Sequence, residues 1–201
     1  AHQVAWLKDY LGEFESALAG PNFTDPVNGY AKFIDVDSAI DFHILNEFAK
    51  NPDGFVVSTY FYKPRSEPIH WGPIWDFDRT LGPDLDSRAQ DPEGWSLVWL
   101  HGWWARFFND PAFVTRYKQR WQELREQEFG LESLLALVDS QAAQLTEAHA
   151  RNYQRWPGLV NLNGGWEAKV QRLKTWIAEG AKWPEDAKLQ VQPRISFVRH
   201  V

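Results

Sequence analysis

Three carboxylates stand where a chain reversal would gather them. Asp53 lies in Asn51-Pro52-Asp53-Gly54, and Asp76 and Asp78 lie in Gly72-Pro73-Ile74-Trp75-Asp76-Phe77-Asp78. Between them runs Phe55 to Tyr62, aromatic and β-branched, which reads as a strand. Lys63 to Pro68 reads as a turn and Ile69 to Trp75 as the returning strand. A hairpin brings its two ends together, so Asp53 and Asp76 are expected to be neighbours in space. Converging carboxylates repel one another unless a positive charge sits between them. A divalent cation with oxygen ligands meets that need, and Mg²⁺ commonly keeps phosphate oxygens as further ligands. Protein kinases use this layout. A catalytic-loop Asp accepts the substrate hydroxyl proton, an Asn five positions later binds metal, and a second Asp beyond a short hairpin holds the metal on the nucleotide phosphates. Asp53 fits the first role and Asp76 the last, with Asp78 beside it. Ser58 stands five positions after Asp53, and its hydroxyl is a weaker ligand than an amide oxygen. Arg79 suits either a phosphate contact or an ion pair with Asp78. Spacing alone leaves the ordinary alternative open, because Asp-Gly turns and Asp helix caps are common.

Helices must position this hairpin. Val4, Leu7, Leu11, Phe14 and Leu18 recur at helical spacing and end at Gly20-Pro21. Asp35 to Ser38 offers N-cap chemistry to a second helix, with stripe Ile40, Ile44, Leu45 and Phe48, which stops at Asn51-Pro52. Residues 76–94 read as an irregular loop and 95–108 as a buried apolar helix. Asp110-Pro111 caps the next helix, which carries Phe113, Tyr117, Trp121 and Leu124. A long helix is expected over 131–155, ended by Trp156-Pro157-Gly158, and another over 166–181. Residues 188–201 read as an edge strand or a loose tail. The fold class expected is α+β, mainly α: a single domain over 1–201 with a central β-hairpin.

Composition narrows the function classes. The 201 residues are 44% hydrophobic and 24% charged, with net charge −6 and both signs interspersed, which argues against non-specific nucleic-acid binding, since that wants a basic stripe. No apolar run reaches membrane-spanning length, so no membrane insertion is expected. There is no Cys, hence no disulfide and no thiolate metal site. There is no Met either, which suggests that the sequence begins inside a longer precursor. Most of the 12 tryptophans are expected in the core. His43 and Glu47, one turn apart, read as surface or packing residues rather than a metal pair. His70 and His101 lack partners at ligand spacing, and no nucleophile-elbow motif supports a Ser/His/Asp triad. Lys63 reads as a solvated turn residue. Arg151, Arg155 and Trp156 read as a helix end that packs back on the domain.

A family resemblance adds to this. Phe33-Ile34-Asp35-Val36-Asp37-Ser38, Leu45-Asn46-Glu47, Lys50-Asn51-Pro52-Asp53-Gly54, Ser58 to Lys63 and Gly72 to Asp78 resemble the CotH kinase family in order and spacing. The likeness continues through Asp110-Pro111-Ala112-Phe113, Arg120-Trp121, Arg151 to Pro157 and Leu173 to Trp176. The resemblance implies a reduced protein-kinase-like fold that transfers the γ-phosphoryl group of ATP to protein Ser or Thr with Mg²⁺ or Mn²⁺. By motif match Asp53 would be the catalytic aspartate and Asp76 the metal ligand; on the residues' own positions Asp78 or Ser58 would help Asp76, and Arg79 is a candidate nucleotide contact. Spore-coat members carry Asn where this chain has Ser58. The family's N-terminal lobe, which supplies the nucleotide-binding basic residue, is expected upstream of residue 1, so these residues alone are at best half an active site. Secreted or cell-surface placement is also implied. A non-catalytic pseudokinase or adhesion module on the same scaffold is the competing reading, and a bare metal site with hydrolase activity a third.

Overall fold

The computed structural model describes residues 2–82, 87–95, 102–159 and 164–181. Among these it is mainly helical, with seven α-helices and one small antiparallel sheet. The helices are α1 (His2–Ala19), α2 (Val36–Phe48), α3 (Gly102–Phe107), α4 (Pro111–Glu126), α5 (Leu131–Gln144), α6 (Thr146–Arg155) and α7 (Gly165–Gly180). Strands β1 (Phe61–Tyr62) and β2 (His70–Trp71) form the hairpin, pairing Phe61 with Trp71 and Tyr62 with His70. The expected helix over 95–108 is seen in its last part as α3, and residues 96–101, with His101, lie outside the described residues. So does the expected tail at 188–201.

Helix α2 is the central element. Asp35 caps it by accepting from the Ser38 amide at 2.6 Å. Its buried residues, Ala39, Ile40, Phe42, His43, Ile44, Asn46 and Glu47, run around more than one face, as expected of a helix enclosed by others. Phe14 and Leu18 of α1 share its core with Trp104 and Phe107 of α3 and Phe113 and Tyr117 of α4. The apolar stripe of α1 is used only at its C-terminal end: Val4 and Leu7 are exposed. Arg106 of α3 closes that end, stacking on Phe23 at 3.6 Å and donating to the Leu18 and Gly20 carbonyls, both at 2.9 Å. These carbonyls have no partner within the helix, and a cation there also suits the helix dipole. Asp110 caps α4 as expected, accepting from the Ala112 amide at 2.9 Å, and its other oxygen accepts from the buried Tyr30 hydroxyl at 2.8 Å.

Three expectations are corrected here. The long helix over 131–155 is two helices that break at Leu145. No Gly or Pro marks the break. Instead the Thr146 hydroxyl bonds back to the Ala143 carbonyl at 2.8 Å, competing with the helical ladder. The end of α6 does not pack back on the domain: Arg151, Arg155 and Trp156 are exposed, with Arg155 stacked over Trp156 at 4.4 Å. Lys63 is also not merely solvated. Its ammonium lies over the Tyr10 ring at 4.8 Å and the Trp6 ring at 5.3 Å.

His43 is fully buried, which removes any surface role. Phe55, Trp104, Phe108 and Tyr117 surround its ring, and its Nδ1 lies 3.1 Å from the Tyr117 hydroxyl. Burial without a counter-charge pushes its pKa down to about 3. The unfolded chain therefore binds a proton here near pH 6.5 that the folded chain refuses. The associated stability is complete above pH 6.5 and is lost as pH falls toward 3. Between pH 6.5 and 5, unfolding free energy is expected to fall by up to about 1.4 kcal/mol per pH unit from this residue. Urea unfolding across that window should show a shallower slope for His43→Gln, and equal slopes would contradict the assignment.

Candidate active site

The chain leaves α2 through a left-handed residue, Lys50, with φ 52°, a position usually given to Gly. The Asn51 amide then bonds back to the Asn46 carbonyl at 2.9 Å. The strand expected from Phe55 does not form at this point. The Asp53 carbonyl accepts from three amides, Val56 and Val57 at 3.1 Å and Ser58 at 2.9 Å, which winds residues 53–58 into a tight turn. Asx chemistry overrides β-propensity here: the Asn51 side chain accepts from the Asp53 amide at 3.3 Å. Gly54 is required by space, since a Cβ would run into the Asn46 side chain. Pairing begins only at Phe61.

The returning strand is held to α2. Ile69 exchanges backbone bonds with Phe33 and Asp35 at 2.9 and 2.7 Å, and the Trp71 amide donates to the Ser38 hydroxyl at 3.1 Å. Beyond it, Asp76 adopts φ 64°, a left-handed conformation uncommon for a non-glycine residue. Such positions cluster at functional sites. The Ser58 hydroxyl lies 3.2 Å from Asp76 Oδ2. Ser58 thus touches both acids, through its amide to the Asp53 carbonyl and through its hydroxyl to the Asp76 carboxylate. The two segments expected to meet do meet, and Ser58 is the residue that joins them. Asp78 and Arg79 sit in an exposed turn just beyond.

A family model described as CotH kinase protein matches residues 1–183. The chain belongs to the CotH kinase family. No curated protein and no solved structure matches it.

Within this CotH kinase domain the sequence reading missed one residue at the site. Arg88, on a short 3₁₀ turn at Ser87–Ala89, reaches Asp53 Oδ1 with Nη1 at 2.9 Å. Nothing local announces it, because it lies in a loop 35 positions away whose path only the fold defines. Among the described residues Asp53 Oδ2 makes no hydrogen bond. Asp76 and Ser58 offer hard oxygen donors to a divalent cation. No three His, Asp or Glu side chains cluster at metal-holding distance among the described residues. A cation here would therefore complete its shell with phosphate and water oxygens, as Mg²⁺ commonly does. Among the described residues no helix is long and apolar enough to cross a membrane.

Proposed function

We propose that this chain is the catalytic half of a protein kinase that transfers the γ-phosphoryl group of ATP to a Ser or Thr hydroxyl of another protein. The acceptor oxygen bonds to the γ-phosphorus, the bond to the β-phosphate oxygen breaks, ADP leaves, and the hydroxyl proton passes to Asp53. Asp76, with Ser58 and Asp78, would hold Mg²⁺ or Mn²⁺, which when bound neutralises charge on the phosphate oxygens. Arg79 would face the nucleotide. The observation that carries the reading is the Ser58 bridge, which ties the proton-accepting loop to the metal-side acid. Most of the catalytic effect in such a site is positioning and charge stabilisation, so a fixed relation between these two loops is what the chemistry needs.

By the family likeness, the nucleotide's adenine and a basic phosphate contact would come from a nucleotide-binding lobe outside these residues. Val56, Val57, Ile74 and Trp75 form an exposed apolar rim beside Asp53 and Asp76 and suit such a cover. The same rim favours a second reading, in which the domain is a pseudokinase that docks a protein and catalyses nothing. Calorimetric titration of Mg-ATP into the natural full-length chain, beside Asp76→Ala, separates them. Binding that disappears in the variant is the expected result. No binding by the natural chain would leave the docking module as the function.

A further inference from the structure

Arg88 and Trp176 play no part in the reading above, yet they are mechanically connected to Asp53. The backbone of Asp53 is fixed by four hydrogen bonds, three at its carbonyl and one at its amide. Those bonds leave the carboxylate free to turn. Arg88 Nη1, at 2.9 Å from Oδ1, sets its direction, and Oδ2 is left open to accept a proton.

An exposed ion pair on a wandering loop would hold that direction weakly. Asp53 and Arg88 side chains are 30% and 52% exposed, so the pair needs support from the backbone that presents it. The support comes from α7. The Trp176 indole N–H donates to the carbonyls of Ala89 and Gln90 at 3.1 and 3.0 Å. Ala89 is fully buried. The same indole lies against Gly82, with φ 75°, where a Cβ would collide with the ring. Trp176 therefore grips the loop at two places, once after the Asp76 turn and once beside Arg88.

We propose that Arg88 is a positioning residue for Asp53, and that Trp176 of α7 clamps the turn that presents it. This rests on the phosphotransferase reading of Asp53. The clamp makes the acid's aim depend on a helix more than a hundred positions away in sequence.

The test uses the natural full-length chain and three variants. Arg88→Gln is expected to lower kcat about tenfold to a hundredfold with KM for Mg-ATP within about twofold, because misaim of a reacting group costs rate rather than nucleotide binding. Arg88→Lys should recover part of the loss. Trp176→Phe keeps the ring packing but removes the N–H, and it should lower kcat in the same way. Hydrogen exchange followed by mass spectrometry supplies a readout independent of turnover. Amides in 87–95 should exchange faster in Trp176→Phe and not in Arg88→Gln. An unchanged or raised kcat in Arg88→Gln would overturn the positioning role, a raised value meaning that Arg88 blocks the acceptor. Unchanged exchange in Trp176→Phe would overturn the clamp. If the natural chain transfers no phosphate and Asp76→Ala leaves Mg-ATP binding untouched, the kinase reading itself fails and the role at Asp53 falls with it. The exchange result then decides by itself whether the clamp exists.

Discussion

Asp53→Asn in the natural full-length chain is expected to cut phosphoryl transfer by about 10²- to 10⁴-fold, the usual contribution of a positioned proton acceptor. The amide oxygen can still accept from Arg88, so the loop should keep its shape. Stability should move little, since a partly exposed ion pair contributes only about 0–1 kcal/mol. Mg-ATP affinity should also hold, because the metal side of the site is assigned to Asp76 and Ser58. Single-turnover measurement with saturating Mg-ATP separates rate from binding. A variant with the natural rate would remove Asp53 from the chemistry. A variant that loses nucleotide binding instead would place Asp53 among the metal ligands.

That experiment turns on residues that the sequence itself pointed to, and the reason is local. Asp35-Val36-Asp37-Ser38 states a helix start, Asn51-Pro52 a helix stop, and Lys63 to Pro68 a reversal, so the approach of the turn after Asp53 to Asp76, made through Ser58, follows from short-range rules. The strand over 55–62 did not follow, because three amides converging on one carbonyl outweigh the preference of Val56 and Val57 for an extended chain. Long-range partners were also out of reach. Arg116 and Arg120 of α4 meet Asp37 and Asp41 of α2 in two forked pairs one turn apart. Arg88 meets Asp53, and Trp176 meets Ala89, by the same kind of tertiary closure. Charge type gives each of these a set of possible mates, and only the packing of α2, α4 and α7 chooses among them. The exposed apolar residues of α5, Leu131 and Leu137, show the converse: a helical period says that a face exists, not what covers it.

The largest stability effect is expected beneath the active loop, at Glu47 and Lys50. Their side chains are 1% and 5% exposed, and the ammonium lies 3.3 Å from Glu47 Oε1. The same ammonium donates to the Gly94 carbonyl, so the pair fastens the loop before α3 to the end of α2. Burial also brings the Glu47 charge close enough to add to the rise in the Tyr117 pKa, whose larger cause is desolvation. Glu47→Ala takes a buried carboxylate away from the buried Lys50 ammonium, and unfolding free energy should fall by about 3–5 kcal/mol. Urea denaturation at pH 7.5 measures this without interference from His43. The sign of the double replacement is the informative part. Glu47→Leu with Lys50→Met removes both charges and keeps the volume, so it should recover most of the loss, because desolvating an ion pair consumes much of what its attraction returns. Such a variant would still lack the tie to Gly94. Stability near that of the natural chain together with slower phosphoryl transfer would mean that the pair serves the placement of the active loop. Loss of stability in both single and double variants would mean instead that the Gly94 bond, not the charge pair, holds this part of the fold together.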